Sequence, residues 1–187
     1  MFMLRQNTTQ ASIIASLYIA ALREGQALDF RVASSSMNPL LQVGDSVRIV
    51  PAKANDIRVG DIAAFETAEG LVIHRIVRLQ QIGDTIRLLQ MGDVDVQFNA
   101  TWIKEEAIAG RVSAIRKGKR CIDLQRLLAQ RCSAVTAHLR YWLYRLYTSK
   151  KSGLVRLVLR KCSRLVVHTS YWCIRNRCSS LANEPMS

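Results

Sequence analysis

The spacing of apolar residues changes twice along the chain, and this change restricts the fold more than any other feature of the sequence. From Ala11 to Leu22 the apolar residues follow the i, i+3, i+4 spacing of a helix. From Leu28 they alternate in short segments that are separated by Gly-Asp and similar turn signals. After the basic run at 117–120 the helical spacing returns. The sequence therefore predicts an α+β protein in which a β region lies between helical segments.

This pattern divides the chain into three expected domains. An N-terminal helix over 9–24, which stops at Gly25, belongs to residues 1–27. A small, mostly antiparallel β domain occupies residues 28–120. Its expected strands are short and lie at 29–32, 46–50, 61–65, 71–79, 85–89 and 109–115. Residues 121–187 form a basic helical region with two amphipathic stripes, 124–146 and 154–165, which are separated by a break at 148–153.

The net charge of +13 is concentrated in the last third of the chain. Residues 111–187 hold 17 Lys and Arg but only Asp123 and Glu184 as acids. A region with this much positive charge is expected to bind a polyanionic partner, either a membrane surface or nucleic acid. No segment reaches the ~18 apolar residues of a spanning helix. We therefore expect residues 119–178 to attach the protein peripherally to an anionic membrane surface. The predicted location is the cytoplasmic membrane.

Nucleic acid is the alternative partner for this basic region. Four aromatic residues between 141 and 147 interleave with Arg140 and Arg145, an arrangement that can stack on bases while the cations contact phosphates. No known nucleic-acid-binding motif is present, which makes the membrane surface the better prediction.

The five cysteines, at positions 121, 132, 162, 173 and 178, all lie in the basic third. An odd number, with no recognisable signal peptide, argues against a disulfide framework. The group Cys162, His168, Cys173 and Cys178 contains no C-x-x-C pair, so we predict neither a metal site nor another cofactor. Free or buried thiols are the expectation.

A serine cluster in the β region has the local features of a nucleophile site. Ser34 and Ser36 precede Met37, and Pro39 follows two residues later. Proline fixes its own φ angle and favours a turn, which would expose the Ser36 hydroxyl at the edge of a strand. An exposed and oriented hydroxyl is what nucleophilic catalysis requires.

A base and a carboxylate follow in the order that a catalytic triad would need. In an extended strand, His74 shares a face with Val72 and Ile76, and a neutral imidazole there can act as a general base. Asp93 and Asp95 then offer carboxylates on a turn. A serine, a histidine and an aspartate can form a nucleophile, a base and an orienting group.

Five ordered blocks between about 31 and 113 resemble the signal peptidase I family, which shares its peptidase clan with the self-cleaving SOS repressors. The blocks are Ser34-x-Ser36-Met37-x-Pro39, Gly44-Asp45, Gly60-Asp61-Ile62 with Phe65, His74-Arg75-Ile76-Val77, and Gly92-Asp93. In this family the serine before Met-x-Pro is the nucleophile. The base begins the next-to-last block, and it is lysine in the usual bacterial enzymes. His74 makes this chain similar to the His-type branch of endoplasmic-reticulum, archaeal and some Gram-positive enzymes.

The resemblance implies a small, mostly antiparallel β peptidase domain that cleaves a leader or signal peptide by acyl transfer. Ser36 would attack the peptide carbonyl and His74 would take its proton. Asp93 matches the family's Gly-Asp block, and Asp95 is a second residue that could orient His74. The family normally carries a membrane-spanning anchor, whereas none is visible in this sequence.

The resemblance also implies the groups that hold the substrate. The backbone N–H of Ser36 would stabilise the oxyanion, and the Ser34 hydroxyl matches a family position that often assists. Met37 would line a shallow pocket that suits small residues such as alanine at the cleavage site. The expected partner is thus a peptide or protein with a leader sequence.

Two other functions remain open from the sequence. A self-cleaving repressor would need a DNA-binding head, but only 27 residues precede the β domain, and the lysine base is absent. The alternative from another class is a non-catalytic membrane- or nucleic-acid-binding protein built on a degenerate peptidase domain. In that case Ser36→Ala would change no activity.

Overall fold

The computed structural model of the chain describes residues 14–68, 70–94, 100–149 and 153–181. Helix α1 is described over 14–23, in agreement with the predicted N-terminal helix, whose first residues lie outside these ranges. The strands are β1 (Leu28–Arg31), β2 (Ser46–Pro51), β3 (Ile62–Thr67), β4 (Gly70–Ile82), β5 (Thr85–Met91), β6 (Thr101–Lys104), β7 (Ile108–Lys117), β8 (Arg120–Asp123) and β9 (Ser179–Leu181). Two long helices, α2 (Leu127–Ser149) and α3 (Gly153–Cys178), lie between β8 and β9.

The strands form one antiparallel sheet over the described ranges. Their order is β1–β2–β7–β3–β4–β5–β6, with β8 paired to β7 and β9 paired to β8. Strand β7 pairs with β2 along one edge, and with β3 and then β8 along the other edge. An antiparallel sheet combined with three helices is an α+β arrangement, so the predicted coarse fold class is confirmed.

The sequence pattern predicts β1 to β5 and β7, but not β6, β8 and β9. Strands β8 and β9 come from the region that we predicted to be helical, so the sheet extends beyond the expected β domain of residues 28–120. These strands are only four and three residues long. Alternation over so few residues cannot be distinguished from chance, because a strand signal needs at least about four to eight residues.

Both faces of the sheet carry apolar clusters. On β3, Ile62 and Ala64 belong to a cluster that includes residues of α1 and α3, whereas Ala63 and Phe65 belong to a second cluster on the opposite face. Each fully buried large apolar side chain stabilises the fold by roughly 1.5–3 kcal/mol. Strand β3 is therefore covered on both sides, which explains its continuous apolar sequence.

Helix α2 packs on β4 mainly through small and polar residues. The buried residues of this helix are Ala129, Ser133, Thr136, Ala137 and Arg140. A set of large apolar residues on α2 and α3 is instead 42–66% exposed. We call these residues the outer face: Leu128, Val135, Leu139 and Trp142 of α2, with Val158, Leu165 and Trp172 of α3. Two other residues of the first predicted stripe, Cys132 and Leu143, pack against buried clusters.

Helices α2 and α3 form an antiparallel pair. Near one end the Sγ atoms of Cys132 and Cys173 lie 3.3 Å apart, and one turn further the Thr136 Oγ1 lies 2.5 Å from the Ser170 Oγ. Helix α2 ends at Ser149 and α3 begins at Gly153, both within the predicted break at 148–153. In the ranges that the structure describes, no helix has both the length and the hydropathy that crossing a membrane requires.

Candidate active site

Ser36 lies in a turn that follows β1. Met37, Leu40 and Leu41 are no more than 2% exposed and anchor this turn in the core. The anchoring leaves Ser36 half-buried at the surface, with its Oγ 3.3 Å from the Oγ of Ser34. The structure thus brings the predicted nucleophile and the predicted oxyanion hydroxyl next to each other.

His74 lies on β4 and shares a face with Val72 and Ile76. Its ring is 6.1 Å from that of Phe65, which belongs to the same apolar cluster as those two residues. The His74 Nδ1 lies 2.5 Å from the Oε1 of Gln90 on β5. An amide oxygen only accepts hydrogen bonds, so this contact places the proton of a neutral imidazole on Nδ1. The Nε2 is then the nitrogen that carries the lone pair.

The turn formed by residues 92–94, which we call the Gly92 turn, lies between the serine and the histidine. A Cβ on Gly92 would lie 3.3 Å from the His74 Nε2 and 3.5 Å from the Ser36 Cβ. It would also lie 2.8 Å from the Ser36 carbonyl oxygen, too close for any residue larger than glycine without a shift. The Val94 N–H donates to that same oxygen at 2.9 Å. The predicted nucleophile and the Nε2 of the predicted base therefore flank one glycine.

The carboxylate of Asp93 is engaged by Arg75 and not by His74. The Arg75 Nε and Nη2 donate to its two oxygens at 2.9 and 2.7 Å, and both side chains are at most 2% exposed. This corrects the expectation that Asp93 orients the base. A guanidinium offers two parallel donors to a carboxylate and so binds it more strongly than one imidazole N–H can. The second predicted orienting residue, Asp95, lies outside the described residues.

A groove with a volume of about 430 Å³ opens beside the serine. Ser34, Ser36 and Met37 line it, so the residue predicted to contact substrate lies in its wall. The other walls come from α1, the β1 region and β4, and they include Ile14, Tyr18, Phe30, Val32, Leu71 and Ile73. A mostly apolar groove of this kind favours apolar over charged side chains of a ligand.

The rest of the described structure offers less to catalysis. A cavity of about 480 Å³ near Arg23, Lys53 and Glu106 includes neither the serine nor the histidine. In the described ranges, no group of three or more His, Cys, Asp or Glu side chains could hold a metal ion. Burial, together with Cys173, raises the pKa of the Cys132 thiol to about 11, and burial also raises the pKa of Cys178. Thiols with raised pKa values are weak nucleophiles near neutral pH.

Sequence reasoning missed three residues of this site. Gln90 reaches His74 only because of the register between β4 and β5. From α2, the Arg140 Nη1 and Nη2 donate to the carbonyls of Asp93 and Gly92 at 2.8 and 2.6 Å. The third is Ser133, also on α2, whose Oγ donates to the Gly60 carbonyl at 2.7 Å and accepts from Arg75. One signal existed for the helix residues, because Arg140 and Ser133 lie on the helical face opposite the apolar stripe.

No protein-family model matches the chain, and a comparison with curated proteins finds none with significant similarity.

Proposed function

We propose that the chain is a serine endopeptidase of signal-peptidase type that cleaves a leader or signal peptide by acyl transfer. The observation that carries this proposal is the placement of Ser36 and the His74 Nε2 on two sides of Gly92. The Ser36 Oγ attacks the scissile carbonyl carbon while the His74 Nε2 accepts the hydroxyl proton. The imidazolium returns this proton to the leaving amine, and water then hydrolyses the acyl-enzyme.

Neighbouring groups support each part of this mechanism. Gln90 holds the Nδ1 of His74 in the place where a triad carboxylate would hold it, which fixes the tautomer. Among the described residues, no backbone carbonyl accepts a hydrogen bond from the Ser36 amide, so this N–H is available to a developing oxyanion. The Ser34 hydroxyl, 3.3 Å from the Ser36 Oγ, is a second oxyanion donor. Loss of one such donor typically lowers kcat by ~10²–10³.

The groove limits what the substrate can be. An extended peptide can lie along it with one side chain against Met37 and others against the apolar residues of α1 and β4. Met37 and Leu41, both almost fully buried, line the groove beside the serine. Small residues such as alanine at the cleavage position are what the resemblance to signal peptidases implies.

A fluorophosphonate probe, which phosphonylates activated serines, tests the proposal directly. We expect wild-type protein to be labelled, Ser36→Ala to lose labelling, and His74→Ala to be labelled much more slowly. The matched control is Ser35→Ala, because Ser35 is the exposed neighbour in the same turn and should leave labelling unchanged. Wild-type protein that is not labelled and cleaves no leader-like peptide would favour the non-catalytic binding protein instead.

We also propose that the protein attaches peripherally to an anionic membrane through the outer face. Between 124 and 183 the sequence has no acidic residue, and six exposed cations lie on the same two helices as the outer face. These cations are Arg131, Arg145, Lys161, Arg164, Arg175 and Arg177. Exposed tryptophans combined with cations suit the headgroup region of a bilayer, and each cation near an anionic surface adds ~1 kcal/mol.

Liposome co-sedimentation separates the possible partners of this face. We expect binding to vesicles that contain acidic lipid, with partial survival at high salt because Trp142 and Trp172 insert in addition to the charges. Trp142→Ala and Trp172→Ala should weaken binding, whereas Trp102→Ala on β6, 40% exposed, is the matched control. Protein that ignores these vesicles but binds RNA tightly would replace the membrane with nucleic acid.

A further inference from the structure

Helix α2 reaches the Gly92 turn through one buried side chain. Arg140 is 1% exposed, and two of its nitrogens donate to the consecutive carbonyls of Gly92 and Asp93 at 2.6 and 2.8 Å. The Gly92 turn contacts both reactive residues, because Gly92 adjoins the His74 Nε2 and Val94 is hydrogen-bonded to the Ser36 carbonyl. A shift of this turn would therefore displace groups that lie next to both reactive residues.

Two arginines fix the turn from different directions. Arg75, on β4, holds the Asp93 side chain, and Arg140 holds the backbone on either side of the same residue. Ser133, two helical turns before Arg140, accepts from Arg75 and donates to Gly60, which joins α2 to the same network. The network therefore connects α2, β4 and the Gly92 turn without involving solvent-exposed groups.

The choice of arginine at this position needs an explanation beyond packing. Burying a guanidinium is costly, and an apolar residue of similar volume would often stabilise a core more. The planar guanidinium can, however, donate to two carbonyls in a fixed geometry, which neither an apolar residue nor a lysine can do. Arginine at position 140 is suited to holding two peptide planes in place.

We infer that Arg140 is a positioning residue of the peptidase, which sets the Gly92 turn and thereby the approach of His74 to Ser36. This inference rests on the proposed function and extends it to a helix outside the segment that resembles signal peptidases. Misplacement of a catalytic group by about 1 Å can lower the rate ~100-fold. Removal of Arg140 should therefore lower kcat strongly and leave KM nearly unchanged, because the groove does not include α2.

The test compares R140A, R140K and the exposed control R87A on β5 in full-length protein, with cleavage kinetics, fluorophosphonate labelling and thermal unfolding. We expect R140A to lose ~100-fold in kcat, with part of the loss restored by millimolar methylguanidinium, which can occupy the vacated site. R140K, which keeps the charge but not the fork, should lie between R140A and wild type, and R87A should match wild type.

Specific outcomes would overturn the inference. A wild-type kcat in folded R140A or R140K would contradict it. A loss of kcat that is accompanied by an equal rise in KM, and that methylguanidinium does not restore, would also contradict it, because that result indicates a purely structural role. If R140A does not fold, R140K decides by the same criteria. Wild-type protein without Ser36-dependent labelling removes the proposed function itself, whereas equal labelling of wild type and R140A removes only the role of Arg140.

Discussion

The apolar pattern of the sequence predicts which side chains are buried better for the sheet than for the α2–α3 pair. On β4 the alternation places His74 on one face with Val72 and Ile76, and the structure has it there. On α2 large apolar residues of the predicted stripe lie on the outer face, and the buried face has Arg140 at its centre. A strand between two apolar clusters has a single acceptable orientation. A helix buries whichever side matches the surface that it meets, and α2 meets the carbonyl oxygens of the Gly92 turn.

This difference shows when an apolar pattern predicts burial. The pattern is a reliable guide where the covering surface is apolar, as for both sides of β3. Where the covering surface presents backbone carbonyls, as at Gly60 and Gly92, polar residues turn inward to pair with them. The apolar residues that remain outside then indicate a partner beyond the chain, which is the basis of the membrane proposal.

The largest effect that we expect is on the activity of a variant of His74, which lies on the sheet. His74→Ala should lower kcat for a leader-like peptide by ~10⁴, because removal of a triad member leaves only substrate binding and oxyanion stabilisation. His138→Ala is the matched control, since His138 is exposed on α2. Cleavage kinetics on both variants, with circular dichroism to verify folding, provide the measurement. Near-normal turnover by folded His74→Ala would remove the assignment of the base.

The next effect concerns stability and compares a buried with an exposed ion pair. Asp93→Asn should lower the free energy of unfolding by about 3–5 kcal/mol, because the buried Arg75 loses its counter-charge. Glu66→Gln, which breaks the exposed contact with Arg23 at 3.0 Å, should cost at most about 1 kcal/mol. Urea unfolding of both variants measures the difference. Equal losses of unfolding free energy in the two variants would mean that burial does not increase the contribution of the Asp93–Arg75 pair to stability.

A smaller effect tests the two faces of α2 directly. Ala137→Leu places a large side chain on the fully buried face and should cost about 1–3 kcal/mol of unfolding free energy. Leu139→Gln, on the outer face, should change this free energy by no more than about 0.5 kcal/mol while weakening vesicle binding. Urea unfolding and liposome co-sedimentation are the two measurements. A large loss of stability in Leu139→Gln would show that the outer face is covered within the protein.

The smallest effect concerns the thiols between the helices. Because folding raises the pKa of Cys132 from 9.0 to about 11, the unfolded chain loses this proton at a lower pH than the folded chain does. This contribution to stability is therefore complete below pH 9 and is lost as the pH rises toward about 11. Cys132→Ser should flatten that part of the stability profile. In iodoacetamide labelling near neutral pH, the exposed Cys162 should react before Cys132.

The sequence predicts the parts of the site that local sequence motifs determine. Ser36 and His74 are placed by motifs that need only a turn and a strand. The motifs do not predict the partner of Asp93. Arg75 follows His74 directly, so its side chain points to the opposite face of β4, and there it donates two hydrogen bonds to the Asp93 carboxylate. Gln90 depends on a register that shifts between Ile76 and Arg78, which no local pattern reveals. Arg140 depends on how α2 lies on the sheet, and β8 and β9 are too short to recognise.

The contact between Gly92 and Arg140 has a consequence for the timing of activity during translation. The two residues are 48 positions apart, so the ribosome makes Ser36, His74 and Gly92 well before α2. Contacts of such sequence separation form late in folding. A nascent β region with its nucleophile and base already synthesised would still lack the side chain that holds the Gly92 turn. If the chain is the proposed peptidase, growing chains should be inactive until α2 has emerged and docked.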